Sequence, residues 1–275
     1  MINLNKLLQK PKVFQRLTGL TPQKFMELLE QLTPLWKESE NNRLSRPDRK
    51  RAIGAGNKRK LNVGQALFLL LLYYRTYVNH VFIGMLGGVD DSNVGRYFAK
   101  IEPLLAKQFR IPARKIDLSE KEILELVIDA TEQETERRKG TAYSGKKKRQ
   151  TIKTQIAVTP QGTIKSVSKS VPGSIHDKRL YNHTKMYANK HIKKRGDLAY
   201  LGTGMLIPFK KPKNGELTDD QKQFNHQFSK LRIIVEHAFA HMKKFRILSY
   251  RFRNPIGRYN LIIKNVAGLR NFVMT

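Results

Sequence analysis

Apolar residues recur with a helical period through the first hundred positions. Phe25, Leu28, Leu29 and Leu32 fall three or four apart, the spacing of one helix face. They follow Thr21-Pro22, an N-cap residue with proline at the first helical position. Residues 1 to about 42 are therefore predicted to be helical. Leu67, Leu70 and Leu71 mark a second apolar face that runs into Tyr73, Tyr74 and Tyr77. Val78 to Leu86 reads as a short helix stopped by Gly87-Gly88, and Val89-Asp90-Asp91-Ser92 opens another that continues to Lys100. Residues 61–107 are thus expected to be wholly helical. A short helix, a glycine turn and a helix with a polar start have the layout of a helix-turn-helix. Asn93, Arg96 and Lys100 would share its exposed face at i, i+3 and i+7.

From Ile111 the pattern changes to mixed strands and helices. Ile123 to Ile128 predicts an apolar strand ending in Asp129-Ala130-Thr131. Gln150 to Val158 alternates in part, and the turn Thr159-Pro160-Gln161-Gly162 leads into Thr163 to Ser168, which predicts a hairpin. A helix is expected from about His176 to Ala188. A weak strand near Ile192 and another from Met205 to Phe209 come before a lysine-rich loop, Lys210 to Gly215. Thr218-Asp219-Asp220-Gln221 has capping-box form and predicts a long helix to about Phe245. This order describes a mixed α/β domain of about 150 residues.

Composition supplies the partner. The 275 residues hold 53 Lys+Arg against 22 Asp+Glu, a formal net charge of +31. An excess of that size implies a polyanion, with nucleic acid ahead of an anionic membrane. Cysteine is absent, which excludes disulfides, thiol catalysis and Cys-ligated zinc and suits a reducing interior. Met1 to Lys6 has no apolar signal core. The longest apolar run, Ala66 to Tyr74, stops short of the roughly 20 residues that a membrane span needs. The expectation is a soluble intracellular protein held against DNA or RNA. Residues 43–60 form a basic linker, with eight Lys/Arg against one Asp, placed to touch phosphate.

Three carboxylates stand out. Asp129 ends an apolar strand, where a charge is costly unless it is paired or holds a cation. Asp197 follows Lys194-Arg195-Gly196. Glu236 lies on the predicted long helix, with Arg232 at i−4 and Lys243 at i+7 on one face. Singly, each has a structural explanation: a turn cap, a loop carboxylate, half of an intrahelical ion pair. Together, surrounded by Lys and Arg, they suit phosphoryl transfer on nucleic acid with bound Mg²⁺. No phosphate-cradling glycine loop appears, so nucleotide hydrolysis is not implied.

An ordered string of motifs carries a resemblance. It comprises Leu61 to Arg75, Asp91 to Arg96, Val127-Ile128-Asp129-Ala130-Thr131, Tyr143 to Thr151, Pro172-Gly173-Ser174-Ile175-His176-Asp177-Lys178, Pro208 to Lys213, and Arg232 to Lys243. The chain from Leu61 onward resembles a DDE-superfamily transposase of a bacterial insertion sequence, of the group related to Harbinger-like nucleases. The resemblance implies a ribonuclease-H-like α/β catalytic domain over 111–275, preceded by an all-α helix-turn-helix region over 1–110. It implies a catalytic triad of Asp129, Asp197 and Glu236 holding two divalent ions, Mg²⁺ or Mn²⁺. It also implies DNA cleavage and strand transfer at terminal inverted repeats by a homo-oligomer on DNA in the bacterial cytoplasm, associated with the nucleoid.

Asn93 and Arg96 would read sequence. Lys146, Lys147, Lys148 and Arg149 would clamp phosphates, with Arg251, Arg253 and Arg258 adding charge, and Arg232 and Lys243 would steady phosphate charge or hold Glu236. Two positions depart from the family pattern. Ser229 stands where a tyrosine is usual, and Asp197-Leu198-Ala199-Tyr200 replaces Asp-Lys-Gly-Tyr. Asp177 is the alternative second acid. An endonuclease that does not join strands, and a DNA-binding protein with a decayed site, are the rival functions.

Overall fold

The computed structural model describes residues 2–48, 50, 52, 59–114, 116, 125–137, 142–184 and 191–275. The expected strand start at Ile123-Leu124, the middle of the basic linker at 53–58 and the helix end at 185–188 lie outside these. The chain divides into two compact units, one of residues 1–110 with 245–247, the other of 111–244 with 248–275.

The first unit is helical: α1 (Leu4–Leu8), α2 (Pro11–Thr18), α3 (Pro22–Leu44), α4 (Val63–Thr76), α5 (His80–Gly87) and α6 (Asp91–Phe109). Side-chain caps start several of these helices, α3 at the expected Thr21. Thr21 Oγ1 accepts from the Lys24 N–H (3.2 Å), Asn62 and Gln65 form a reciprocal capping box, and Asn79 accepts from the Phe82 N–H (2.8 Å); each satisfies an orphan donor. α4 is apolar nearly all round and is buried from Ala66 to Tyr74, which makes it the central helix. Phe14 packs edge-on against Phe25 and tilted against Phe68.

Between α5 and α6 the chain turns at Gly88 (φ +68°). The turn lies so close to α5 that a Cβ on Gly84 would stand 2.4 Å from the Val89 carbonyl oxygen; only glycine admits that approach.

Lys100 does not share the solvent face of α6 with Asn93 and Arg96, contrary to expectation. Its ammonium pairs with Glu40 on α3 and stands 3.7 Å over the Trp36 ring, because α3 packs against that side of α6. Two linker arginines are engaged as well. Arg43 and Arg59 both donate to Glu40, Arg59 at 2.8 and 2.9 Å, so these ends of the basic segment serve the fold.

The second unit carries a six-stranded sheet: β1 (Glu125–Glu134), β2 (Ala142–Ser144), β3 (Arg149–Val158), β4 (Ile164–Val167), β5 (Val171–Pro172) and β6 (Lys193–Arg195). Its order is β2-β3-β1-β6, with β4 and β5 also on β3. β1 and β3 are antiparallel from Val127↔Val158 to Glu134↔Thr151; β6 runs parallel to β1, from Glu125↔Lys193 to Val127↔Arg195. The helices are α7 (Asp177–Thr184), α8 (Asp219–Lys243) and α9 (Tyr259–Met274). α8 starts at the expected Thr218–Gln221 capping box and packs on β1 and β3, while α9 packs on β4. Leu126, Ile128 and Ala157 join Ile116, Ile192, Tyr200 and Met205 in a core cluster.

Three expectations change. Asp129 is not at a strand end, because β1 continues to Glu134 as an antiparallel partner of β3. Met205 to Phe209 makes only one bridge, Arg195↔Leu206, before Pro208 removes the next backbone donor. The C-terminal segment, read only for its charge, forms α9. Asn271 pins it by accepting from the Ile164 N–H (2.9 Å) and donating to the Ile164 carbonyl (2.8 Å).

Glu40 provides a test of the helical unit. Burial alone would raise its pKa, but hydrogen bonds from Arg59, Arg43 and Lys100 prevail and hold it at about 2 against 4.5. A depressed acid stabilises the fold above its unfolded pKa and loses that contribution as pH falls. Glu40→Gln is expected to lower unfolding stability at pH 7 by about 1–2 kcal/mol after solvent screening. Urea melts should show the gap to wild type narrowing below about pH 4.5.

Candidate active site

The parallel pairing of β6 with β1 sets the site. Val127 pairs with Arg195, an offset of 195 − 127 = 68 residues. Asp129 and Asp197 differ by the same 197 − 129 = 68, so they lie in register two residues beyond the last pair. Side chains alternate along a strand, so Asp129 points opposite Leu126 and Ile128, away from the core cluster that those two enter.

Asp129 Oδ1 accepts from the Ala130 N–H (2.8 Å). Asp197 Oδ1 accepts from the Ala199 N–H (2.9 Å) and caps a single 3-10 turn, Leu198–Tyr200. The pKa of Asp129 is raised from 3.8 to about 6, first by burial, then by the charges of Asp197 and Asp177, against opposing pulls from the Ala130 N–H and Arg232. In a chain with 53 Lys+Arg and 22 Asp+Glu, neither Asp129 nor Asp197 forms an ion pair among the described residues.

Asp177, the alternative second acid, is engaged otherwise. It opens α7 and accepts from Lys153 Nζ at 2.8 Å. Lys153 is buried in β3, stands 3.3 Å from Glu132 and donates to the Ile175 carbonyl (2.7 Å). The sequence holds one signal of this group: Lys153 is the lone charge between Ile152 and Val158 in a strand that is otherwise uncharged there.

Tyr200 is fully buried. Burial and the nearby charges of Asp129, Asp177 and Asp197 push its hydroxyl far up, so it stays a neutral phenol. It donates a long bond, 3.4 Å, to Gln155 Oε1.

α8 supplies the cations. Arg232 and Lys243 both act electrostatically on Asp129, and Lys243 is lowered by burial and by Lys147. Glu236 lies on the same helix face, about half exposed, and pairs with Arg232 at 3.4 Å. Asp129 thus lies within electrostatic reach of Asp197, Asp177, Arg232 and Lys243, Asp177 is held by Lys153 on the other face of the sheet, and Glu236 pairs with its own arginine. Among the described residues no three His, Asp or Glu side chains converge closely enough to hold a metal ion.

Lys146, Lys147 and Lys148 are exposed in the turn between β2 and β3. Arg149 is exposed too, but pairs with Glu134 at 2.6 Å, as Arg251 does at 3.8 Å. On α6, Arg96 is exposed and donates to Asn93 Oδ1 (3.1 Å).

A helix-turn-helix in one unit, and in-register aspartates beneath a cationic helix face in the other, suit a protein that handles phosphodiester chains. Residues 128–271, just over half of the chain, match the family described as DDE superfamily endonuclease, and residues 59–111 match the helix-turn-helix of DDE superfamily endonuclease. The chain belongs to the DDE superfamily, as an insertion-sequence transposase. It is 29% identical over 271 residues to "Probable transposase for insertion sequence element IS702" of Microchaete diplosiphon, covering 94% of this chain and 93% of that one. It is 25% identical over 270 residues to "Putative transposase for insertion sequence element IS112" of Streptomyces albus G, covering 97% and 96%. No solved structure matches. Among the described residues no helix is long and apolar enough to cross a membrane.

DDE superfamily endonucleases generally use divalent metals, and Asp129 and Asp197 fit such an ion. Both offer hard oxygen donors. Burial of Asp129, with the charges of Asp197 and Asp177 beside it, raises its pKa and predicts a cost to folding. A raised acid favours the protonated folded state, so stability falls as pH rises from 3.8 through about 6 and the deficit is complete at pH 7. Asp129→Asn is expected to stabilise the protein by about 1–3 kcal/mol at pH 7 and by little below pH 4. Melting curves across this range check it, and added Mn²⁺ should raise the wild-type melting temperature more than the variant's.

Proposed function

We propose that the protein is a cut-and-paste transposase that binds the terminal inverted repeats of its insertion sequence, cleaves them and transfers the freed strands to target DNA. The observation that carries the reading is the in-register pair Asp129–Asp197, free of ion-pair partners among the described residues beneath Arg232 and Lys243. The sheet supports a ribonuclease-H-like fold for residues 111–275: β4 and β1 each run antiparallel to β3, β6 runs parallel to β1, and the acids lie on β1 and just after β6. Residues 1–110 form the DNA-binding domain in this reading.

Asp129 and Asp197, completed by Glu236, would hold Mg²⁺ or Mn²⁺. Two such ions, when bound, activate the attacking oxygen and stabilise the leaving one. The chain's own groups do the remaining work. Arg232 and Lys243 draw a backbone phosphate over Asp129 and offset its charge. Engagement of Arg232 by phosphate competes with its pairing to Glu236, which releases that carboxylate toward the acid pair. Tyr200, buried in the core, anchors the turn that carries Asp197. Water breaks a P–O3′ bond to leave a 3′-hydroxyl, and that hydroxyl then displaces the 3′-oxygen of a target phosphodiester.

Lys146 and Lys147 contact phosphates outside the site, Arg149 joins them on leaving Glu134, and Asn93 and Arg96 read base edges. The protein acts as a homo-oligomer on DNA in the bacterial cytoplasm, associated with the nucleoid. The engagement of Asp177 by Lys153 favours Asp197 as the second acid.

In Mg²⁺ or Mn²⁺ the protein is expected to nick DNA carrying the element ends. Asp129→Asn, Asp197→Asn and Glu236→Gln should each lower the rate by about a thousandfold. Activity retained in Asp197→Asn would move the second acid to Asp177. Products without joined strands would mark a nuclease, and binding of the ends without nicking a DNA-binding protein. Arg96→Ala should cost about 1–3 kcal/mol on the cognate end and little on unrelated duplex, read by competition binding.

A further inference from the structure

The 3-10 turn after Asp197 carries two exposed leucines, Leu198 at 42% and Leu201 at 63%. Residues three apart on a 3-10 turn eclipse one another, and the Leu201 N–H donates to the Leu198 carbonyl (3.2 Å), so the two side chains form one apolar ledge. The ledge is firmly mounted. Asp197 caps its start, and Tyr200 between the leucines is fully buried with its ring edge-on to Tyr181. Thr203 Oγ1 donates to the Tyr200 carbonyl (2.7 Å). Gly202 then turns the chain at φ +77°, with Lys178 Nζ lying against it. An apolar ledge one residue from a phosphate-handling acid faces a partner whose charge must complement +31, and the large apolar surfaces of such a polyanion are its base faces.

We propose that Leu198 and Leu201 wedge against an unstacked nucleobase beside the scissile phosphate and so hold the strand open for cleavage. This rests on the endonuclease reading above. Aliphatic side chains act in this way between base steps, and the unstacked base is then held on an apolar surface. Lys178 would take the adjoining phosphate.

The test uses the full-length protein and duplexes labelled with 2-aminopurine at successive positions across the DNA that flanks the coding sequence, first without divalent metal. Wild type is expected to raise the fluorescence several-fold at one position. The double variant Leu198→Ser/Leu201→Ser should lose the rise while binding the same duplex within roughly twofold, since phosphate contacts supply most of the affinity. In Mn²⁺ that variant should cleave paired duplex about tenfold more slowly and recover when the labelled base is mismatched, because unstacking is then already done. Leu198→Met/Leu201→Met should keep the rise, which separates loss of the wedge from loss of the fold.

No rise with wild type at any position, or a rise that survives both serines, overturns the proposal. So does a fall in oligomer mass without DNA in the serine variant, which assigns the ledge to a second copy of the chain. Asp129→Asn should raise the fluorescence without cleaving. Wild type that unstacks the base but never nicks would sink the endonuclease reading and leave the wedge standing.

Discussion

Everything chemical in the second unit depends on the register of one short parallel pair. β6 has three residues, Lys193–Arg195, and backbone hydrogen bonds alone would tolerate a slip. A slip of one residue would turn Asp197 to the opposite face of the sheet. Side chains on both sides of the pair prevent it. Arg195 is ion-paired to Glu125 on β1 and lies over the Phe228 ring of α8. Gly196 lets Tyr200 fold back against the strand, since a Cβ there would stand 2.7 Å from the ring. The aromatic anchor and the ion pair together place the carboxylate.

The acids are distributed according to a simple economy of charge. With 22 Asp+Glu among 53 Lys+Arg, basic groups are plentiful, and several carboxylates gather them. Glu40 gathers Arg43, Arg59 and Lys100. Glu134 takes Arg149 and Arg251, and Glu132 shares Lys153 with Asp177. Asp90, Asp91 and Asp220 also lack ion pairs among the described residues, but they are exposed; Asp129 is set apart by burial beside Asp197 and Asp177. Burial beside a like charge is unfavourable for folding, the usual sign of a site kept for a ligand.

Features set by local chemistry were legible in the sequence. Thr21 and Thr218 start helices because their side-chain oxygens sit beside orphan N–H groups, a matter of three or four residues. The helix-turn-helix follows from glycines at the turn, and the 68-residue separation of Asp129 and Asp197 equals the offset of the β1–β6 pairing. What depends on distant partners was not legible. Glu132 to Glu134, beyond the expected end of the strand, are strand because β3 lies alongside them. Lys100 reads as a DNA contact until Glu40, sixty positions away, claims it. α9 packs on β4, whereas the sequence is read there only for the charge of Arg251, Arg253 and Arg258 just before it. Lys153 could be flagged as a lone cation in a strand, but its acceptors come from β1 and from the start of α7.

The close seat of the Val89 carbonyl on Gly84 has a mechanical side. With no side chain between them, α5 and the turn into α6 meet in direct backbone contact. In the DNA-binding reading proposed above, the two helices then present a groove-reading element of set pitch and tilt. A duplex whose groove differs from that template must then absorb the mismatch in its own bending and twist. Compliance in such an encounter belongs to the nucleic acid, and sequences that flex easily gain an advantage at positions the protein never touches.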